Sequence, residues 1–471
     1  MHYIVMQIIG NFFEYNEVEW LIENKKYKTY LISCAISNYY KDNLSEDCKI
    51  QLLIPESLVT YVAKDENEAF ELLNDKNKLK KKLLIKIEES PIFKELANFK
   101  FDVLIIQSIG SFNLNKKYAI IFENYVENLI SYLIFDLINL KLEESKGIIF
   151  DVSTGLNIYV CSVIEALKTL VVYYKLLKII QGGKGIDVKL TFSPPVIHGL
   201  DLIHPIQLYT YDAKAFFELP FKKDFNDLNE IYDFKEEGKK FSNSRKELKK
   251  AMTLLKLMFN AIKYNAPLTL FKTFQNVEVI ELNSSLNLEK LLEELKKILD
   301  HINGKREVKF ENNTIKVIYP KVVKKQSITN MLLSLALYSN LREFTFELRK
   351  NKPSINQIRQ LFLENVYKIV GLESNRRFLE RDLENIEAIA NCLNLNSWVS
   401  LNELSKNAKE ESKNIYKCAK KTTSDEKRNF FAHSGFLKKF TYIKKDGNEI
   451  LLSYTHSKDV LRTIRNWLIN P

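Results

Sequence analysis

The sequence predicts an α/β N-terminal domain of Rossmann type, a mostly helical middle domain and an all-α C-terminal domain with an inserted β-hairpin. Short apolar runs alternate with amphipathic stretches over the first two hundred residues, and a lysine-rich, helical pattern follows. A chain of 471 residues is too long for one ordinary core. We therefore expect three domains, at 1–215, 216–352 and 353–471.

Five apolar runs predict parallel strands that are covered on both faces. Each run is rich in Ile, Val, Leu or Phe and ends in Gly, Ser or Pro. The runs span residues 3–10, 49–57, 101–110, 147–155 and 187–195. The amphipathic stretches between them predict helices at 66–80, 119–141 and 156–181.

Ligands of such a sheet bind beyond the carboxyl ends of its strands. The residues expected on this rim are Gly10, Ser108, Gly110 and the 153–157 loop.

The segment 151–157, DVSTGLN, follows a strand and opens a long helix. Exposed amides at a helix N-terminus beside Ser153 and Thr154 can bind phosphate, and Gly155 would let the backbone approach it closely. An ordinary turn capped by the two hydroxyls is the equal alternative. The pattern is neither GxGxxG nor a P-loop, which disfavours nicotinamide and nucleoside-triphosphate enzymes.

The middle and C-terminal parts carry local signals of their own. A hairpin is expected at 306–320 and a long helix at 327–350, and Ser354 is the expected N-cap of the next helix. Asp446–Gly447 is the expected tight turn of a second hairpin. An amphipathic helix is expected at 459–470.

Composition narrows the class of protein. Hydrophobic residues make up 46% and charged residues 27%, which fits a soluble globular protein. The net charge of +11 suits a polyanionic partner such as RNA, or an anionic membrane surface. The first residues lack the basic region of a signal peptide, and the apolar run 156–180 contains four charged side chains, so no membrane span is expected.

Cysteine and histidine spacing argues against a metal site. The five cysteines are scattered and form no C-x-x-C pair, so we expect neither disulfides nor zinc, and a reducing, cytoplasmic location. His198 and His204 are six residues apart with no cysteine or carboxylate cluster nearby. Structural roles are favoured for both over a metal pair.

His433 lies in the richest chemical setting, five residues after Arg428 and with Asn429 between them. On a regular helix five residues rotate a side chain by about 140°, so the pair converges only if the segment is irregular or a second copy supplies part of the site. A histidine can move the proton of a ribose 2′-hydroxyl and an arginine can hold the phosphoryl oxygens, which cuts RNA without a metal. The alternative is a solvated Arg428 and a His433 that packs against Phe430 and Phe436.

The pattern Arg-Asn-x-x-Ala-His-x-Gly-Phe resembles the signature of HEPN-domain ribonucleases, an arginine followed after four to six residues by a histidine. The Asn and the Ala match the form of CRISPR-associated members. The resemblance implies that two HEPN domains pair, that Arg428 and His433 carry catalysis, and that Asn429 helps to position them. Residues 404–439 hold ten Lys or Arg against four Asp or Glu, with aromatic residues interleaved. Single-stranded RNA binding needs this composition, although a charge run is more often a solvated helix face.

The 151–157 loop resembles the motif of CARF domains in type III CRISPR accessory ribonucleases, Asp-hydrophobic-Thr/Ser-x-Gly-x-Asn, and residues 53–59 are similar to the same family. Relatives often carry His where this chain has Thr154. The resemblance covers both ends of the chain, with the sensor first and the nuclease last. It implies a Rossmann-like CARF domain that dimerises and binds a ring of adenylates, most often four. The residues it implies for the groove wall are Gly10, Asn11, Ser108, Gly110, Ser153, Thr154, Gly155 and Asn157.

Together these resemblances predict a homodimeric endoribonuclease that cuts single-stranded RNA without a metal or a cofactor. A cyclic oligoadenylate, in the first instance cyclic tetra-adenylate, is the expected activator. Two alternatives remain open. One is a CARF-type transcription regulator that senses the ligand and binds DNA through basic helices in 221–360, and the other is a toxin-like ribonuclease that needs no ligand.

Overall fold

The computed structural model describes most of the chain. The described residues are 2–183, 185–194, 196, 203–215, 217–221, 231, 239–273, 276–281, 286–320, 325–348, 352–391, 395–404, 425–455 and 457–471. The expectation for His198, and most of the basic segment within 404–439, lie outside these residues.

An eight-stranded mixed sheet forms the centre of the N-terminal part. Its strands are β1 (Tyr3–Ile8), β2 (Val18–Ile22), β3 (Lys25–Thr29), β4 (Cys48–Pro55), β5 (Lys100–Ile106), β8 (Gly147–Asp151), β9 (Asp187–Phe192) and β10 (Ile203–Thr210). The order across the sheet is β3-β2-β10-β9-β8-β1-β4-β5. Strands β9, β8, β1, β4 and β5 are parallel, and they are the five predicted apolar runs. The chain moves outward in opposite directions from β1 and from β8, so the strand order reverses between them.

Seven helices accompany this sheet within the described residues. They are α1 (Ile32–Leu44), α2 (Val59–Val62), α3 (Glu66–Asn74), α4 (Lys76–Glu88), α5 (Phe93–Leu96), α6 (Val126–Asn139) and α7 (Asn157–Leu177). The helix predicted at 66–80 is in fact α3 and α4. Asp75 separates them, because its carboxylate accepts hydrogen bonds from the backbone amides of Asn77 and Lys78 and so caps α4.

The prediction of one helix over 119–141 is wrong at its beginning. Residues Ala119–Glu123 form strand β7, and the helix begins only at Val126. The run Ala-Ile-Ile-Phe-Glu pairs antiparallel with β6 (Gly110–Asn113) and, on its other side, with a strand from the middle of the sequence. A partner so distant in the chain overrides the local helical pattern.

That partner belongs to the predicted hairpin, which consists of β11 (Glu307–Glu311) and β12 (Thr314–Ile318). Strand β12 runs parallel to β7, and the four-stranded order is β11-β12-β7-β6. The second sheet therefore combines strands from the N-terminal part with a hairpin that the sequence assigned to the middle domain.

A buried charged cluster reinforces this junction. Glu56 follows β4, and its side chain is fully buried between Lys76, 3.4 Å away, and Arg306, 3.7 Å away. The hydroxyl of Tyr319 donates a hydrogen bond to Glu56, and burial raises the pKa of this tyrosine, which keeps the hydroxyl protonated. Arg306 also donates to the carbonyl of Leu73 at 2.6 Å. The cluster thus connects both ends of the hairpin to the carboxyl edge of the large sheet.

We expect Glu56→Gln to lower the free energy of unfolding by about 3–5 kcal/mol, because it leaves the Arg306 guanidinium buried without a counter-charge. Urea unfolding measures this loss. Glu307→Gln is the matched control, since Glu307 is 56% exposed in its pair with Lys309 and should cost at most about 1 kcal/mol. Equal losses in the two variants would contradict the role of Glu56 as the buried counter-charge of Arg306.

The remaining helices form one core with the N-terminal part. They include α8 (Ser242–Lys263), α9 (Leu288–Asn303) and α10 (Lys325–Leu348), and α10 packs against both α7 and α8. A single apolar cluster contains Leu133, Leu255 and Leu461, one from each predicted domain. The buried Asn340 of α10 donates to the carbonyl of Leu177 at 2.8 Å, which joins α10 to the end of α7.

The C-terminal part is helical around a small sheet. It contains α11 (Ile355–Ile358), a π-helical turn (Arg359–Val366), α12 (Tyr367–Ile369), α13 (Glu373–Asn391), α14 (Glu426–Ala432) and α15 (Lys458–Ile469). Ser354 is the N-cap of α11, as predicted, and forms a capping box with Gln357. Strands β14 (Thr441–Asp446) and β15 (Glu449–Tyr454) pair antiparallel next to β13 (Val399–Ser400). None of the helices within the described ranges has the length and apolarity that a membrane span requires.

Candidate ligand cavity and active site

A cavity of about 590 Å³ opens at the carboxyl ends of β1 and β8. The strand order reverses between these two strands, which is where open α/β sheets bind their ligands. The loop after β1 supplies one wall and the loop after β8 supplies the other. Five of the eight predicted ligand residues line it: Gly10, Asn11, Ser153, Thr154 and Gly155.

Hydrogen bonds at the end of β8 shape the second wall. The carboxylate of Asp151 accepts from the Ser153 amide at 3.1 Å and from the Thr191 hydroxyl at 3.3 Å. Burial raises the pKa of Asp151 to about 6, against the effect of these bonds. Its negative charge is therefore weakened in mildly acidic solution, which reduces repulsion of an anionic ligand. Helix α7 begins at Asn157 without a side-chain cap on its first amides, so its N-terminus favours phosphate.

Three aromatic residues that the sequence did not single out as ligand residues also line the cavity. Tyr15, Trp20 and Tyr30 line it together with Gln7. The Tyr15 hydroxyl accepts from the Gly10 amide at 3.4 Å, and burial raises its pKa to about 12, so it stays protonated. Strand β2 is mostly apolar and contains Trp20, and that composition was the available sequence signal for this wall. Aromatic side chains beside the N-terminus of a helix are a combination that suits a nucleotide.

Three predicted ligand residues do not line the cavity. Ser108 is fully buried, and its hydroxyl accepts from the Ser57 amide at 2.8 Å, so it supports the turn after β4 instead of facing a ligand. Gly110 begins β6, and β5, which precedes it, lies two strands from β1. Asn157 is exposed as the first residue of α7.

The second candidate site is the short helix α14 and the turn that ends it. Asp425 caps the helix by accepting from the Arg428 amide at 3.0 Å. The helix ends at His433, and Ser434 and Gly435 then take left-handed backbone angles, with φ of +50° and +79°. The Gly435 amide donates back to the carbonyl of Phe430 at 2.9 Å, which closes the turn. His433 therefore lies where the regular helix that contains Arg428 gives way to irregular backbone.

The structure turns the two predicted side chains outward. Arg428 is exposed, Asn429 is half-buried, and the His433 side chain is 54% exposed. Phe430 and Phe436 are buried in the core instead. Arg428 is exposed, as the alternative without catalysis also predicts, whereas His433 is not buried with these phenylalanines. The imidazole is accessible to a substrate.

A carboxylate that the sequence analysis missed faces this histidine. Asp382 of α13 lies with Oδ1 3.9 Å from Nδ1 of His433, and its Oδ2 accepts from the Ser434 hydroxyl at 2.7 Å. Its side chain is only 8% exposed. The available signal was an acidic residue on the apolar stripe of an amphipathic helix, between Leu379 and Ile386.

Gly435→Ala should lower the stability of the protein. A methyl group at Gly435 would lie 3.0 Å from the Tyr454 hydroxyl and 3.1 Å from Cα of Ala266, and the positive φ adds strain. We expect a loss of about 1–2 kcal/mol from φ and about 1–3 kcal/mol more from crowding, measured by urea unfolding. Gly447→Ala isolates the first effect, because Gly447 has a φ of +60° and no neighbour within 4 Å. Equal losses at both glycines would show that the turn at Gly435 is not crowded.

Two family models match the chain, and each matched range contains one of the two candidate sites. The family model described as CRISPR system endoribonuclease Csx1, CARF domain, matches residues 4–195. The model described as CRISPR system endoribonuclease Csx1, HEPN domain, matches residues 372–456. No curated protein matches the chain significantly. The first match contains both walls of the cavity and the second contains the Arg428–His433 turn, so the chain belongs to the CRISPR-associated CARF–HEPN endoribonucleases.

Proposed function

We propose that this protein is a ribonuclease that a cyclic oligoadenylate activates and that cuts single-stranded RNA without a metal in antiviral defence in the cytoplasm. The observation that carries the proposal is the cavity between β1 and β8, where the strand order reverses. Five predicted ligand residues from the loops after these two strands line it. The exposed side chains of Arg428, within α14, and His433, at its C-terminal end, support the proposed RNA cleavage.

The cavity suits part of a cyclic oligoadenylate. The 153–157 loop and the N-terminus of α7 have amides and hydroxyls that could bind a phosphate, and the aromatic side chains that line the cavity, Tyr15 and Trp20 among them, could pack against a base. A two-fold dimer would place two such cavities along one groove, which matches the symmetry of a ring of adenylates. Cyclic tetra-adenylate is the ring that we propose.

RNA cleavage follows from the chemistry of the outward-facing pair. The ribose 2′-oxygen attacks the adjacent phosphorus while a histidine takes its proton, and the bond from phosphorus to the 5′-oxygen breaks. The leaving oxygen takes up a proton, and the products are a cyclic phosphate and a 5′-hydroxyl. Arg428 would hold the charged phosphoryl oxygens with two hydrogen bonds. Pairing of two copies would bring two arginines and two histidines to one substrate.

Activation requires that the ligand favour one arrangement of the dimer over another. The core gives a physical route, because α7 begins at the cavity and packs against α10, which packs against α8. Helix α8 is followed by Asn265, whose side chain donates to Ser434 at 2.9 Å. The chain of contacts thus reaches from the ligand cavity to the residue after His433.

The test is cleavage of a labelled single-stranded RNA in EDTA, with and without cyclic tetra-adenylate, and with the six-membered ring as a second ligand. Cleavage that requires a ring supports the proposal, and the two rings distinguish its size. Equal cleavage in all lanes would favour a toxin-like ribonuclease. No cleavage with either ring would favour the ligand-sensing regulator.

A further inference from the structure

We propose that Asp382 is a positioning residue that holds the imidazole of His433 in the orientation and tautomer needed for proton transfer. The proposal rests on the proposed role of His433 in RNA cleavage. It concerns a residue outside the Arg428–His433 motif, 51 positions earlier in the sequence and on a different helix.

The two carboxylate oxygens of Asp382 have separate partners. Oδ2 accepts the Ser434 hydroxyl at 2.7 Å, which fixes the residue that directly follows the histidine. Oδ1 lies 3.9 Å from Nδ1 of His433 and 3.9 Å from a guanidinium nitrogen of Arg381. A carboxylate next to Nδ1 favours the tautomer with the proton on that nitrogen, which leaves Nε2 for the substrate. Such contacts are commonly long without substrate and shorten in the reacting complex.

The Ser434 hydroxyl belongs to a wider network that holds the carboxylate in place. It accepts from the side-chain amide of Asn265 at 2.9 Å, and the Asn265 carbonyl oxygen accepts from the hydroxyl of Tyr367 at 2.8 Å. Ser434 and Asn265 both adopt left-handed backbone angles, with φ of +50° and +57°. Such angles are unfavourable for residues other than glycine and persist when the surroundings fix them. Buried hydrogen bonds on both residues supply that constraint.

A purely structural role would need only the bond to Ser434. That role does not use Oδ1, which faces the exposed imidazole of His433 and the exposed guanidinium of Arg381. Burying a carboxylate costs free energy unless its charge is used. Asp382→Asn separates the two roles, because asparagine keeps the size and an acceptor oxygen for Ser434 but removes the charge next to Nδ1.

The first measurement is steady-state cleavage by the activated full-length protein. Asp382→Asn should lower kcat by about 10–100-fold, with the KM for RNA and the melting temperature little changed. Asp459→Asn is the matched control, since Asp459 is 94% exposed, and it should leave kcat unchanged. In a His433→Ala background, single-turnover rates should show no further loss from Asp382→Asn. Wild-type kcat in Asp382→Asn, or losses that multiply in the double variant, would overturn the proposal.

The second measurement does not depend on RNA cleavage. Imidazole ¹⁵N spectra of histidine-labelled protein, with the His433 signals assigned by their absence in His433→Ala, should show the proton on Nδ1 in the wild type. Asp382→Asn should shift the population toward the other tautomer, and Asp459→Asn should not. An unchanged His433 signal in Asp382→Asn refutes the positioning role. A shifted signal in a protein that cuts no RNA would refute the proposed function and leave the positioning contact standing.

Discussion

His433→Ala should lower the activated rate of RNA cleavage by about 10³-fold while the protein remains folded and still binds its activator. A positioned general acid or base contributes about 10²–10⁴-fold, and alanine cannot move a proton. The imidazole is 54% exposed and is not part of the core, so its removal leaves the packing of α14 intact. Single-turnover cleavage of a labelled RNA at saturating cyclic tetra-adenylate measures the effect.

The matched control is His2→Ala. His2 precedes β1 at the amino edge of the large sheet, opposite the cavity, and should have no effect on cleavage. The melting temperatures of the two variants should agree with that of the wild type. Full activity in His433→Ala would show that this histidine takes no part in the mechanism and that the nuclease site lies elsewhere.

Gly155→Trp should weaken activator binding by at least about 100-fold, roughly 2.8 kcal/mol. Gly155 lines the cavity, and a Cβ there would meet no atom within 4 Å, so a side chain can begin at this position without a clash with its neighbours. An indole in the cavity would occupy the space that the ligand needs. Calorimetric titration with cyclic tetra-adenylate measures the affinity, and cleavage without activator should remain at the wild-type level.

Lys116→Trp places the same side chain on an exposed turn between β6 and β7, away from the residues that line the cavity, and should bind the activator normally. If Gly155→Trp binds with wild-type affinity, the cavity between β1 and β8 is not the activator site. If both variants lose activator binding, the tryptophan disturbs the fold in general and the loss does not come from filling the cavity.

The parallel strands could be predicted because each is a continuous apolar run, a property of the strand itself. The strand at residues 119–123 could not be predicted, because it pairs with β12, which lies 195 positions later in the sequence. The hairpin at 18–29 carried alternating apolar residues, but its place beside β10 and over the cavity is a long-range contact.

In the candidate sites, too, the residues that follow from local strand patterns could be predicted, and the residue that depends on long-range packing could not. Gly10, Asn11 and the 153–155 residues come together because the carboxyl ends of adjacent parallel strands meet at one edge. Ser108 satisfies the same rule but follows β5, which lies two strands away and ends in a buried turn. Asp382 could not be assigned from the sequence, because nothing near it indicates that α13 passes beside His433.

The pairing of β12 with β7 limits how this protein can be recombined. A chimera that exchanges the sensor at residue 215 would break the four-stranded sheet, since β6 and β7 would come from one parent and β11 and β12 from the other. It would also separate Glu56 from Arg306 and Tyr319. The smallest transferable sensor is therefore discontinuous in sequence, and a graft that responds to a new activator has to carry the 306–319 segment with it.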